Sequence, residues 1–191
     1  MEGGFRDMDD FLTRVGKQAQ GAICDHKLRR IANYAPFNGA EAVARLYERG
    51  IPGVLISQYR REEAQFGIRS WRRKVPVLLS RDELDPRTIR TGLSDSIQEI
   101  NGVIPAQRKP RRALVRIDEV EKGRITAFVP QWNPSEAIYF LESLIPEHLR
   151  SKLASDQRLT ALVNIGAEHA DDLFFEDFAL APAPDSDDGL S

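Results

Sequence analysis

Three residues in the first half of the chain have types suited to work on one anion. Asp25 ends the short apolar run AIC after Gly21, Ser57 ends the run IPGVLI, and Arg81 follows VPVLLS. A carboxylate can accept a phosphoryl group when a hydroxyl and a cation are aimed at the transferred oxygens, because charge stabilisation and positioning are most of that chemistry. Each residue also has a plainer use. Aspartate at the end of a strand commonly hydrogen-bonds the backbone of the loop that follows, and Ser57 and Arg81 would then be satisfied polar groups at strand ends. Cys24 and His26 flank Asp25, but a closed zinc site needs about four ligands at recognisable spacing. No such set is present, which leaves a buried thiol beside a turn histidine.

The elements that must hold these residues follow from periodicity. Met8, Phe11, Leu12 and Val15 fall on one face of a helix, as do Ala40, Val43, Ala44 and Tyr47, with Gly50 placed to end the second. Ala64, Ile68 and Trp71 mark a third helix. Asp85 followed by Pro86 is an N-cap with proline at the first helical position, and Ile89, Leu93, Ile97 and Ile100 give the helix behind it an apolar face. The apolar runs 21–24, 51–57 and 75–80 are too short for helices and are bounded by breakers, so they read as buried strands. Alternating strands and helices imply a parallel sheet with helices on both faces. In such sheets the functional crevice lies outside the carboxyl ends of the strands, where Asp25, Ser57 and Arg81 fall.

After Asn101 the pattern changes. Residues 103–112 form a basic linker with two prolines, and the segments ALVRIDEV, RITAFVP, EAIYFL, RLTALVNI and DLFFEDFAL read as strands, with a hairpin at Gly123 and one short helix from Pro146. Five short strands and a helix predict a small β-barrel of the oligonucleotide-binding or SH3-like type. The expected organisation is an α/β domain at 1–102, the linker at 103–112, the barrel at 113–180 and a disordered acidic tail at 181–191.

Composition narrows the function. The net charge of −2 provides no global field to draw in nucleic acid or anionic lipid. The lone cysteine permits no intrachain disulfide, and no apolar run reaches the roughly 18 residues of a membrane span, so a cytoplasmic protein is expected. Arg108, Lys109, Arg111 and Arg112, beside Phe128, Trp132, Tyr139 and Phe140, support an alternative: a nucleic-acid-binding module that uses the barrel, with the α/β half as its dimeriser. The barrel's many acids favour the simpler view of a solvated linker. Asp118, Glu119, Glu121, Glu168, Asp171 and Asp172 read as solvated acids, and His148 and His169 have no evident catalytic partner, so no enzyme is expected.

The N-terminal half resembles the receiver domains of two-component response regulators. AICDHKL is similar to that family's third strand, ending in the phosphoryl-accepting aspartate at Asp25. NGAEAVARLYERGIPGVLISQY is similar to the next helix and the fourth strand, ending at Ser57, and VPVLLSRDELDPRTI to the fifth strand, with Arg81 in the usual lysine place. The resemblance spans about Arg6 to Asn101. It implies a truncated, flavodoxin-like parallel sheet and a regulatory signalling protein, with Asp25 as candidate phosphoacceptor and at most a weak Mg²⁺ site there. The implied partners are a sensor kinase or an operon-encoded effector. The acidic pair of the first strand has no counterpart, and Leu78 stands at the aromatic position, so a pseudo-receiver acting through protein contacts is expected. Without the first two strands of the 2-1-3-4-5 order, the Asp25 strand is an open edge. That edge predicts a homodimer, a partner chain, or a natural chain that begins upstream of Met1.

Overall fold

A computed structural model describes residues 4–28, 34–58 and 63–182. Residues 1–3, 29–33, 59–62 and 183–191, the last including most of the expected acidic tail, lie outside the described residues. Helix α1 (Met8–Gln18) starts where Asp7 accepts the N–H of Asp10, and it buries Phe11, Leu12 and Val15. Strand β1 (Ala22–Asp25) is followed by α2 (Gly39–Glu48), capped by Asn38 through the N–H of Glu41. Gly50, with φ +73°, supplies the left-handed residue just past the end of α2. Then come β2 (Gly53–Ser57), a crossover, β3 (Val77–Ser80) and α3 (Pro86–Ile100), with Asp85 as N-cap of α3.

The three strands are parallel, in the order β1-β2-β3. Cys24, Leu55 and Leu78 stand in register on one face and pack with α1 and α2. Ile23, Val54 and Val77 point to the other face, where α3 lies. Helices on both faces are as expected, but α3 does not bury the side its isoleucines predict. Gly92 and Ser96 are its most buried sheet-side positions, and Ile97 is left 45 % exposed. A Cβ on Gly92 would come within 3.0 Å of Val77 and 3.2 Å of Val54, and the Oγ of Ser96 accepts the N–H of Gly53. Small residues bring this helix onto the sheet, which pushes the isoleucines to its flanks.

The crossover between β2 and β3 also departs from the expected helix. It is a π-helical turn (Ala64–Ile68) followed by a 3₁₀ turn (Arg72–Lys74). Gly67 weakens a regular helix, and it lies close against His26: a Cβ there would come to 3.0 Å from Nε2.

The C-terminal lobe contains β4 (Arg111–Glu121), β5 (Arg124–Val129), β6 (Asn133–Leu141), the short helix α4 (Glu147–Arg150), β7 (Arg158–Val163) and β8 (Phe175–Leu180). Its antiparallel order is β6-β5-β4-β7-β8. The expected barrel is therefore wrong: the sheet is open, and no ladder joins β6 to β8. Side chains close the gap instead. The ring of Phe140 on β6 lies 5.3 Å from that of Phe175 and 6.1 Å from that of Phe178, both on β8. In a regular strand, residues three apart face opposite sides. A bulge at Asp177, in the left-handed region at φ 51°, turns both β8 rings inward.

The strand begins at Arg111, so the connector is two residues shorter than predicted, and it is not a loose linker. Arg108 is buried and forks onto Glu99 of α3, through Nε at 2.5 Å and Nη2 at 3.1 Å. From the crossover, Arg69 donates to the carbonyls of Ala170 and Leu173, and Arg72 pairs with Asp172 at 2.8 Å. Arg73 and Arg108 both lie over the ring of Phe174, each 5.4 Å from its centroid. The two lobes are thereby docked through arginines.

If the aromatic seam holds the open sheet together, Phe140→Ala should lower stability by about 3–5 kcal/mol, the usual cost of emptying a fully buried aromatic site. Urea unfolding followed by circular dichroism measures this. A change close to zero would show that the strand edges are held by something else.

Candidate functional site at the carboxyl rim of the parallel sheet

The register of the sheet puts the ends of β1, β2 and β3 side by side, with Asp25 opposite Ile56 and Ser57 opposite Ser80. Asp25 uses both carboxylate oxygens. Its Oδ1 accepts the N–H of Lys27 at 2.7 Å, and its Oδ2 takes Nη2 of Arg81 at 3.1 Å. The first contact is the turn-forming role. The second is the acid-to-cation contact expected from the spacing. Arg81 starts the short turn after β3, which is set by Glu83 accepting from the N–H and Oγ of Ser80. Its side chain is 57 % exposed, so the ion pair contributes only about 0–1 kcal/mol to stability.

Ser57 faces inward and is fully buried. Its hydroxyl donates to Oε2 of Glu63 at 2.5 Å, and Oε1 of the same carboxylate is 3.1 Å from Nζ of Lys27. Asp25 and Arg81 therefore meet directly. Ser57 belongs to the same rim, but its hydroxyl is committed to Glu63. Sequence reasoning missed Glu63 and Lys27, since neither sits at a strand end or in a spaced motif.

His26 sits in the turn after β1, as expected, but is buried there and not at the surface. Its backbone bridges two elements, donating to Ile56 and accepting from Gly39. Gly39 is required here because a Cβ would collide with the carbonyl oxygen of Asp25 at 2.2 Å. The imidazole packs against Gly67, and its Nδ1 has no hydrogen-bond partner among the described residues. Burial holds its pKa below the ordinary histidine value, against the opposing pull of Glu63 and Asp25. Cys24, also buried, has its thiol pKa pushed up to about 12 by desolvation, which makes it an inert core residue at neutral pH.

The donor set does not fit a tightly held divalent cation. Both oxygens of Asp25 are engaged, and no group of three or more His, Cys, Asp or Glu side chains among the described residues is placed to hold a metal ion. The basic run of the connector is dispersed. Arg108 is buried against Glu99, Arg112 is paired with Asp177, and Lys109 and Arg111 are exposed. Of the aromatics beside it, Phe140 is fully buried, Phe128 lies under Arg116, and Trp132 donates its indole N–H to Ala167, so among these four Tyr139 is the exposed one. Among the described residues, no helix is long and apolar enough to cross a membrane.

No protein-family model matches the chain, and neither a curated protein nor a solved structure matches it.

The neutral, buried state of His26 predicts a pH dependence. Its folded pKa is lowered, so the unfolded chain binds the proton more readily. Stability from this group is complete above the unfolded value of about 6.5 and is lost as the pH falls below it. Urea midpoints should therefore drop as the pH is lowered through the histidine range, and His26→Leu should flatten that drop. An unchanged slope in the variant would mean that other groups carry the dependence.

Proposed function

We propose that this chain is a regulatory signalling protein, a degenerate receiver-like domain that acts through protein contacts. The observation that carries the reading is the Asp25–Arg81 contact across the ends of three parallel strands, with Ser57 on the strand between them. An acid, a hydroxyl and a cation on one rim are the parts a phosphoacceptor site uses. Here each is already occupied: the acid by a turn and a guanidinium, the hydroxyl by Glu63. Such a rim favours a constitutive surface over a switched one.

Incubation with acetyl phosphate and magnesium tests this directly. The expected result is no acid-labile mass gain on the intact protein. A gain that Asp25→Ala abolishes would overturn the contacts-only reading and make Asp25 a working phosphoacceptor.

The contact surface we propose is the free edge of β1, toward a second copy or a partner chain such as a kinase or effector. In a parallel ladder alternate residues turn their backbone groups to each side. Ala22 and His26 donate to β2, so the N–H and C=O of Ile23 face away from it. The Ile23 side chain is 47 % exposed on the face that α3 only half covers, and an open apolar edge of this kind favours pairing. Sedimentation velocity should show concentration-dependent self-association, or a complex with the partner, that Ile23→Asp weakens. Association unaffected by this substitution would move the interface elsewhere.

A further inference from the structure

The antiparallel sheet carries two cations that it does not balance. Arg116 on β4 stands directly opposite Arg158 on β7. Val115, Ile117 and Leu159 beside them turn inward to the core, so both arginines lie on the outer face. Like charges directly opposite one another in an antiparallel pair are destabilising, and no carboxylate among the described residues is within ion-pair distance of either. Arg112, on the same face, is answered by Asp177. Arg116 is also held in place, because its guanidinium lies 4.9 Å from the centroid of the Phe128 ring on β5.

The chain itself brings acids to this spot. β8 runs out beside Arg158, where the N–H of Ala181 donates to the Arg158 carbonyl at 3.1 Å. The sequence from Ala181 onward, APAPDSDDGLS, holds Asp185, Asp187 and Asp188 and no basic residue. From Ala181 to Asp185 the chain spans up to about 13–14 Å. Arg116 is two strand spacings from the line of β8, about 10 Å. Both arginines are therefore within reach of the aspartates, and a guanidinium forks naturally onto a carboxylate.

We propose that the acidic segment Asp185–Asp188 folds back over the outer face of its own lobe and pairs with Arg158 and Arg116. The contact is autoinhibitory: an acidic segment of a partner protein meets these arginines only by displacing the tail. The lobe's acids outnumber its bases, which disfavours a nucleic acid as the anion. A second copy offers the same aspartates, but so short a tether keeps the chain's own at an effective concentration of about a millimolar, above that of a micromolar protein.

The full chain carrying Ser186→Cys is spin-labelled at that position, since Cys24 is buried and its thiol is inert at neutral pH. In proton–nitrogen correlation spectra the amide signals of Leu114, Arg116 and Phe128 should lose most of their intensity at low salt and regain it at high salt. The double variant Arg116→Gln, Arg158→Gln should restore the signals while keeping its circular dichroism spectrum. The triple variant Asp185→Asn, Asp187→Asn, Asp188→Asn, which leaves the folded lobe untouched, should restore them as well. Absence of the broadening, or broadening that neither salt nor the triple variant relieves, would overturn the proposal. So would broadening in an isotope-labelled chain mixed with a separate spin-labelled one, because the tail would then belong to a second copy. Hexa-aspartate should shift the Arg116 and Arg158 amides of the triple variant several-fold more than those of the native sequence. Equal shifts would overturn the autoinhibitory role.

Discussion

The arrangement of the two lobes depends on one buried carboxylate. Glu99, near the end of α3 and 3 % exposed, is gripped by Arg108 of the connector and by Arg73 of the crossover at 3.2 Å. Arg108 also donates to the carbonyls of Arg72 and Arg73. One acid thus ties together the last helix of the first lobe, the crossover between β2 and β3, and the chain leading to the second lobe. Removing one member of such a buried cluster leaves an unpaired charge, which typically costs about 3–5 kcal/mol, although the intact cluster contributes little net stability against an apolar replacement. Its effect is on geometry. The guanidiniums must lie where Glu99 and the carbonyls are, and the lobes must sit accordingly.

Arg69 illustrates the same economy without an acid at bonding distance among the described residues. It is almost completely buried, and desolvation pulls its pKa down to about 10, so it still carries its charge at neutral pH. Carbonyls of Ala170 and Leu173 solvate that charge in place of water, and the ring of Phe175 lies 5.8 Å from the guanidinium. Phe175 also belongs to the aromatic seam that bridges β6 and β8. The lobe interface and the closure of the open sheet therefore share a residue, and packing in one constrains the other.

Much of the parallel half was legible in the sequence because its signals are local. The cap at Asp85, the glycine after α2 and the three short apolar runs each fix an element by nearby chemistry. The form of the crossover was not legible, since the spacing of Ala64, Ile68 and Trp71 fits a regular helix and does not signal a π-helical turn. Nor was the burial of Arg108, where a basic run beside prolines looks solvated until Glu99 is known to face it. The barrel expectation failed because strand count and spacing do not report whether two edges meet. Nor does alternation along β8 report the bulge at Asp177, whose left-handed backbone puts Phe175 and Phe178 on one side. At the rim, the shared position of Asp25 and Arg81 at the carboxyl ends of the strands followed from the alternation of strands and helices. The engagement of Ser57 by Glu63 did not, because Glu63 lies on the crossover that the sequence pattern misread.

That crossover is the segment that connects the rim of the parallel sheet to the second lobe. At its start Glu63 holds Ser57 and Lys27, and Gly67 lies against His26. A turn later Arg69, Arg72 and Arg73 reach the second lobe. Buried Ile68 and Val75 anchor its body in the core of the first lobe. A segment pinned at both ends through close-packed contacts transmits displacement rather than absorbing it. The rim and the second lobe are thus linked by one short stretch of chain, in which Gly67 makes the close contact with His26 and Arg69, Arg72 and Arg73 make the tethers.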